Sequence, residues 1–203
     1  MTDRYLPEWK ANASWLRLSF HSIGEFPDRP YQHADYDQVN HDCDLVLKEI
    51  YRFAGKEVLG SETTIHWGEA TREACRALRD HGYDKLVGCF TQGPDPVAYY
   101  LGPEQRQHIH DRAVWHDTGT GITFVRIAQV INLHPLERVV QELEEQVGKQ
   151  PRRSEFVELM IHEQYFHKDY FNYQPDFCEK VLAAVQWADD RGYKPAFLEE
   201  ALA

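Results

Sequence analysis

The chain has 203 residues, enough for one domain with a substantial core. Asp+Glu 33 against Lys+Arg 22 leave a formal charge of -11 with the basic residues scattered, so a nucleic acid or an anionic membrane meets net repulsion and is excluded as a partner. No apolar run has the length of a membrane span, and Met1-Thr2-Asp3-Arg4 leads into Pro7-Glu8-Trp9-Lys10 rather than an apolar signal core, so a soluble cytoplasmic protein is expected.

Taken in chain order, Trp15 to Phe20 reads as a strand and is followed by a loop of turn formers, Gly24, Pro27, Asp28 and Pro30. Val39, Cys43, Val46, Leu47, Ile50 and Phe53 then recur at three- and four-residue intervals before Gly55, which predicts an amphipathic helix with a glycine stop. Strand Thr63 to Ile65, a helix through Ala70, Ala74, Ala77 and Leu78 to Gly82, and strand Leu86 to Phe90 repeat the alternation. Val97 to Leu101 fits an edge strand or hairpin arm, Pro103 to His110 a short helix, and Ile122 to Ile127 a strand after a turn at Gly119 and Gly121. Pro135 opens a helix whose stripe is Leu136, Val139, Val140, Leu143 and Val147. A strand through Met160 and Ile161, a helix from Asp176 to Arg191 and a short strand from Lys194 to Phe197 complete the chain. Alternation of this kind predicts a parallel sheet covered by helices, either doubly wound or a closed or partly closed barrel. Cys43, Cys75, Cys89 and Cys178 lie far apart and suit reduced, mostly buried thiols.

Four histidines follow strand-like runs: His21, His66, His134 and His162. The carboxyl ends of parallel strands open onto one face, and chemistry is built there, so imidazoles at that level predict a polar, metal-binding site. His134 directly precedes Pro135 and reads most simply as a helix-start residue.

His66-Trp67-Gly68-Glu69-Ala70, a helix, Gly82-Tyr83 and the strand to Phe90 resemble the central block of the polysaccharide deacetylase superfamily. Glu158-Leu159-Met160-Ile161-His162-Glu163, a helix ending in Arg191-Gly192-Tyr193 and the strand to Phe197 are similar to its closing Leu-x-His motif, last helix and final strand, and Leu18-Ser19-Phe20-His21-Ser22 occupies the place of its His-x-x-x-His motif. The phrases Phe20-His21-Ser22, Thr64-Ile65-His66-Trp67-Gly68 and His162-Glu163-Gln164-Tyr165-Phe166 are closest to a divergent branch of that family.

The resemblance implies an incomplete or distorted α/β barrel, a (β/α) barrel of the glycoside hydrolase and deacetylase type, formed by residues 1–203 as a single domain. It implies hydrolysis of a C–N bond in a carbohydrate or small amide, with a divalent metal, zinc by type, as cofactor. His162 would be the acid for the departing amine. His21 would bind metal, with Glu25 as a second ligand where the family has histidine, and His66, standing where the family has arginine, would ligate or polarise the substrate carbonyl. Trp67 and Tyr165 would contact substrate.

The family's first motif, an Asp-Asp pair on the first strand, has no counterpart before Trp15. The expectation is therefore a chain truncated at its N-terminus, with metal weakly held or absent. The alternative is a catalytically inactive remnant or carbohydrate-binding module of the same fold. Loss of the first strands would expose the Trp15 to Phe20 edge and favour a homo-oligomer through it.

Overall fold

The computed structural model describes residues 1–24, 26–91, 93 and 95–202. They form a mixed α/β fold that divides into two compact units, the first comprising Met1–His110, Val114–Arg126 and Phe197–Ala203, the second Asp111–Ala113 and Ile127–Ala196. Among the described residues no helix is long and apolar enough to cross a membrane.

The first unit is built on a four-stranded sheet. β1 (Glu62–Thr63) lies parallel to β2 (Lys85–Cys89), which lies parallel to β4 (Ile122–Arg126), and β3 (Val114–Asp117) closes the order β1-β2-β4-β3 as an antiparallel edge. The sheet does not close on itself, so the described residues form an open mixed sheet and not a closed barrel. The expected first strand, Trp15 to Phe20, reduces to one parallel bridge between Leu18 and Leu59, with Leu18 N–H donating to the Val58 carbonyl and Gly60 N–H to that of Leu18. This places the Leu18 segment beyond β1 at the margin of the sheet.

The helices of this unit follow their apolar spacing. α1 (Leu6–Ala11) sets Trp9 edge-on against Phe53, with ring centroids 5.9 Å apart. α2 (Tyr36–Phe53) buries Val39, Cys43, Leu47, Ile50 and Phe53, and starts at Asp35, whose carboxylate accepts from Gln38 N–H. α3 (Arg72–Asp80) buries Ala74, Cys75, Ala77 and Leu78, and Thr71 caps it by accepting from Ala74 N–H. These two stripes meet each other, Phe20, and Leu86 and Phe124 of the sheet in one core. α4 (Pro103–Arg112) precedes β3.

In the second unit β5 (Gln129–Val130) pairs in parallel with β6 (Leu159–Met160). α5 (Leu136–Leu143) widens into a π turn over Glu144–Gly148 and packs on α6 (Phe177–Asp190) through Val139, Leu143, Val147, Ala184 and Trp187. The short strand expected from Lys194 to Phe197 is not formed, and Phe197 instead starts α7 (Leu198–Ala201) in the first unit. Pro195 has no amide hydrogen for a ladder, and Glu200 holds Phe197 N–H at 3.1 Å, which favours a helix start over a strand.

Candidate functional site

In the first unit the parallel pairing of Leu18 with Leu59 and of β1 with β2 sends two neighbouring chain segments out of the sheet in the same direction. His21 lies three residues past Leu18 and His66 three past the end of β1, so both imidazoles emerge at the carboxyl end of the sheet. The approach to His21 is held by side chains where a strand ladder is lacking. Tyr83 accepts the Phe20 N–H at 3.1 Å, and the Thr63 hydroxyl donates to the Phe20 carbonyl.

His66 sits on a tight turn in which Gly68 N–H donates to the Ile65 carbonyl at 2.8 Å. Trp67 and Gly68 both take left-handed φ, 67° and 62°. At Gly68 the lack of a side chain is required, because a Cβ would overlap the Gly88 carbonyl oxygen of β2. Tyr99 N–H donates to the Gly68 carbonyl at 2.6 Å, while the buried Tyr99 hydroxyl donates to Val87 and accepts from Ile65 N–H. Burial holds that phenol well above its ordinary pKa, so it stays protonated and able to donate.

The turn brings His66 Nδ1 to 3.0 Å from His21 Nε2, with ring centroids 5.0 Å apart and planes at 87°. His21 Nδ1 lies 2.5 Å from the Thr64 carbonyl, which can only accept, so that nitrogen carries hydrogen. Neutral His21 therefore presents its lone pair at Nε2, on the side of His66. Trp67, exposed beside His66 at 6.1 Å between centroids, receives the Arg29 guanidinium at 5.6 Å from its ring centre. Arg29 is in turn paired with Glu69 at 2.9 Å and with Asp95, and the Asp95 hydrogen bond raises its pKa. Glu25, expected as a metal ligand, lies outside the described residues.

The second unit holds His162 and Tyr165. Asn132, 3% exposed, accepts both the backbone N–H of His162 at 2.9 Å and its Nδ1 at 3.1 Å on one amide oxygen. A backbone N–H only donates, so the oxygen must face it, and Nδ1 must carry hydrogen as well. The neutral ring then has its lone pair at Nε2. Gln174 donates to the Asn132 carbonyl at 2.9 Å and accepts from buried Lys180 at 2.8 Å, which ties the clamp to α6. Tyr165 meets His162 with centroids 6.3 Å apart and Tyr170 at 5.3 Å.

No family model, curated protein or solved structure matches this chain. The site is therefore read from its own geometry. The structure brings His21, His66 and Trp67 together in the first unit and His162 with Tyr165 in the second. His134 follows a 3₁₀ turn, Ile131–Leu133, rather than a strand, consistent with its reading as a helix-start residue. Sequence reasoning missed Thr63, Tyr83 and Tyr99, which support the histidines through hydroxyl groups, and Asn132. Only Asn132 carried a signal, as the one polar residue in the apolar run Val130-Ile131-Asn132-Leu133.

Proposed function

We propose that the chain is a hydrolase of the polysaccharide deacetylase type, cleaving the C–N bond of an acetamido group on a sugar or of another small amide with a divalent cation, zinc by ligand type. On this reading the open sheet derives from a (β/α) barrel. The observation that carries it is the posture of His21, whose Nδ1–H is taken by the Thr64 carbonyl so that Nε2 keeps a lone pair, the arrangement by which a backbone carbonyl orients a metal-binding imidazole. When bound, such an ion supplies a water acidic enough to ionise near neutral pH and a Lewis acid for the amide carbonyl. The Trp67 indole supports the reading as a platform for a sugar ring, since it is exposed beside His66 and fixed from Arg29. In the second unit, taken by itself, the Asn132 clamp leaves Nε2 as the basic nitrogen of neutral His162.

A second reading, a carbohydrate-binding module without hydrolysis, is favoured by one observation. Among the described residues no group of three histidines, cysteines or carboxylates is placed to hold a metal. The two are separated by measuring acetate released from N-acetylated chito-oligosaccharides by the full chain with added zinc or cobalt. Acetate is expected, reduced about 100-fold or more by His21→Gln. Oligosaccharide binding with no acetate under any of these metals would replace the hydrolase with the binding module.

A further inference from the structure

We infer that His66 is the second ligand of the cation, binding through Nδ1 opposite Nε2 of His21, so that the two histidines form a two-imidazole site. The inference rests on the hydrolase reading for the identity of the ion and names a residue that reading leaves without a fixed role. Three observations carry it. The Thr64 carbonyl fixes the Nδ1–H form of neutral His21, so its Nε2 faces His66 Nδ1 across 3.0 Å as a lone-pair nitrogen. An ion about 2.0–2.1 Å from each of two nitrogens requires them roughly 3.0 to 3.3 Å apart for ligand angles between about 94° and 109°, and the observed spacing lies at the near end of that range. Both rings are also set independently of any ion. His66 N–H donates to the His21 carbonyl at 3.1 Å, and the Ile65 to Gly68 turn is locked by Tyr99 and by the contact of Gly68 with β2.

Two imidazoles select the nitrogen-seeking ions zinc, cobalt, nickel and copper over magnesium and calcium.

The test titrates the full chain, without substrate, with Zn²⁺ by calorimetry and with Co²⁺ by visible absorption. One ion per chain is expected, with no heat from Mg²⁺ at the same concentrations. His66→Gln, checked for a cooperative melt, should weaken binding at least tenfold. If that variant does not fold, ¹⁵N spectra of the unaltered chain carry the test, because zinc must shift Nδ1 of His66 and Nε2 of His21 together. Unchanged cobalt binding in folded His66→Gln, no binding by the folded unaltered chain, or zinc that leaves both nitrogens unmoved would each overturn the inference. Metal bound through both histidines without amide hydrolysis keeps the inference and removes the hydrolase reading. Metal-dependent hydrolysis indifferent to His66→Gln does the reverse.

Discussion

Gly68 and Trp67 are adjacent residues in the same left-handed conformation, and their side chains make them opposites. Gly68 accepts that conformation without strain and has no room for a Cβ. Gly68→Ala is expected to lower stability by about 2 kcal/mol or more, read as a fall in Tm, because left-handed strain and overlap with the Gly88 carbonyl add. Trp67 holds the same φ at a strain of order 1 kcal/mol, with the Arg29 guanidinium over its ring at 5.6 Å from the centroid. Trp67→Gly should therefore leave Tm within about 3 °C while weakening oligosaccharide binding at least tenfold, the mark of a side chain kept for contact rather than for folding. Asn132 is the residue-scale counterpart in the second unit. Asn132→Leu leaves the His162 N–H without its acceptor, at a cost of about 1–3 kcal/mol, and ¹⁵N spectra should show the ring losing its fixed Nδ1–H form. Asn132→Asp should retain that form, since a carboxylate accepts from both N–H groups.

At the scale of elements, the helices with long apolar stripes were legible and the short strands were not. α2 and α3 bury the residues their spacing selects, because a helix makes its own hydrogen bonds and needs only one face covered. Thr71 secures the start of α3 twice, accepting from Ala74 N–H at 3.0 Å and donating to the Ala34 carbonyl at 2.5 Å. Thr71→Ala is expected to cost about 1–2 kcal/mol by denaturant unfolding, with no change in metal binding. Strand Trp15 to Phe20 shrank to a single bridge because a strand exists only where a partner offers matching groups, and Leu59 matches at one register position. β3 was not foreseen although its turn at Gly119 and Gly121 was, since Val-Trp-His-Asp has no apolar alternation and owes its state to β4. α1 escaped notice for a related reason. Its six residues bury nothing completely, so no periodicity marks them.

For the whole molecule, the thiols and phenols of the first unit set an alkaline limit. Burial pushes the Cys43 thiol up to about 12 and holds Cys75, Cys89, Tyr31, Tyr83 and Tyr99 above their ordinary values. These groups bind their protons more tightly folded than unfolded. The unfolded chain releases them first as pH rises, so the stability they contribute is complete below their ordinary pKa values and declines from about pH 9 upward. Thermal melts should show a flat Tm from neutrality to about pH 9 and a fall above it. The same burial predicts that a thiol reagent at pH 8 modifies one cysteine of the native chain, exposed Cys178, and reaches Cys43, Cys75 and Cys89 only after denaturation. Rapid modification of a second native thiol would contradict the packing described for the core.

The amino-acid sequence by itself determined the α/β alternation, the core faces of the principal helices, the reduced and buried character of most cysteines, and the histidines worth following. Each of these depends on local periodicity or on chemistry a residue carries wherever it lies. Tertiary structure alone decided that the sheet stays open, that His21 meets His66 at 3.0 Å, and that Thr64 and Asn132 dictate which nitrogens of His21 and His162 carry hydrogen. Thr64 is 43 residues from His21, and Asn132 is 30 from His162. Contacts across such separations depend on strand pairing and on the close approach of Gly68 to β2, and no local pattern encodes them.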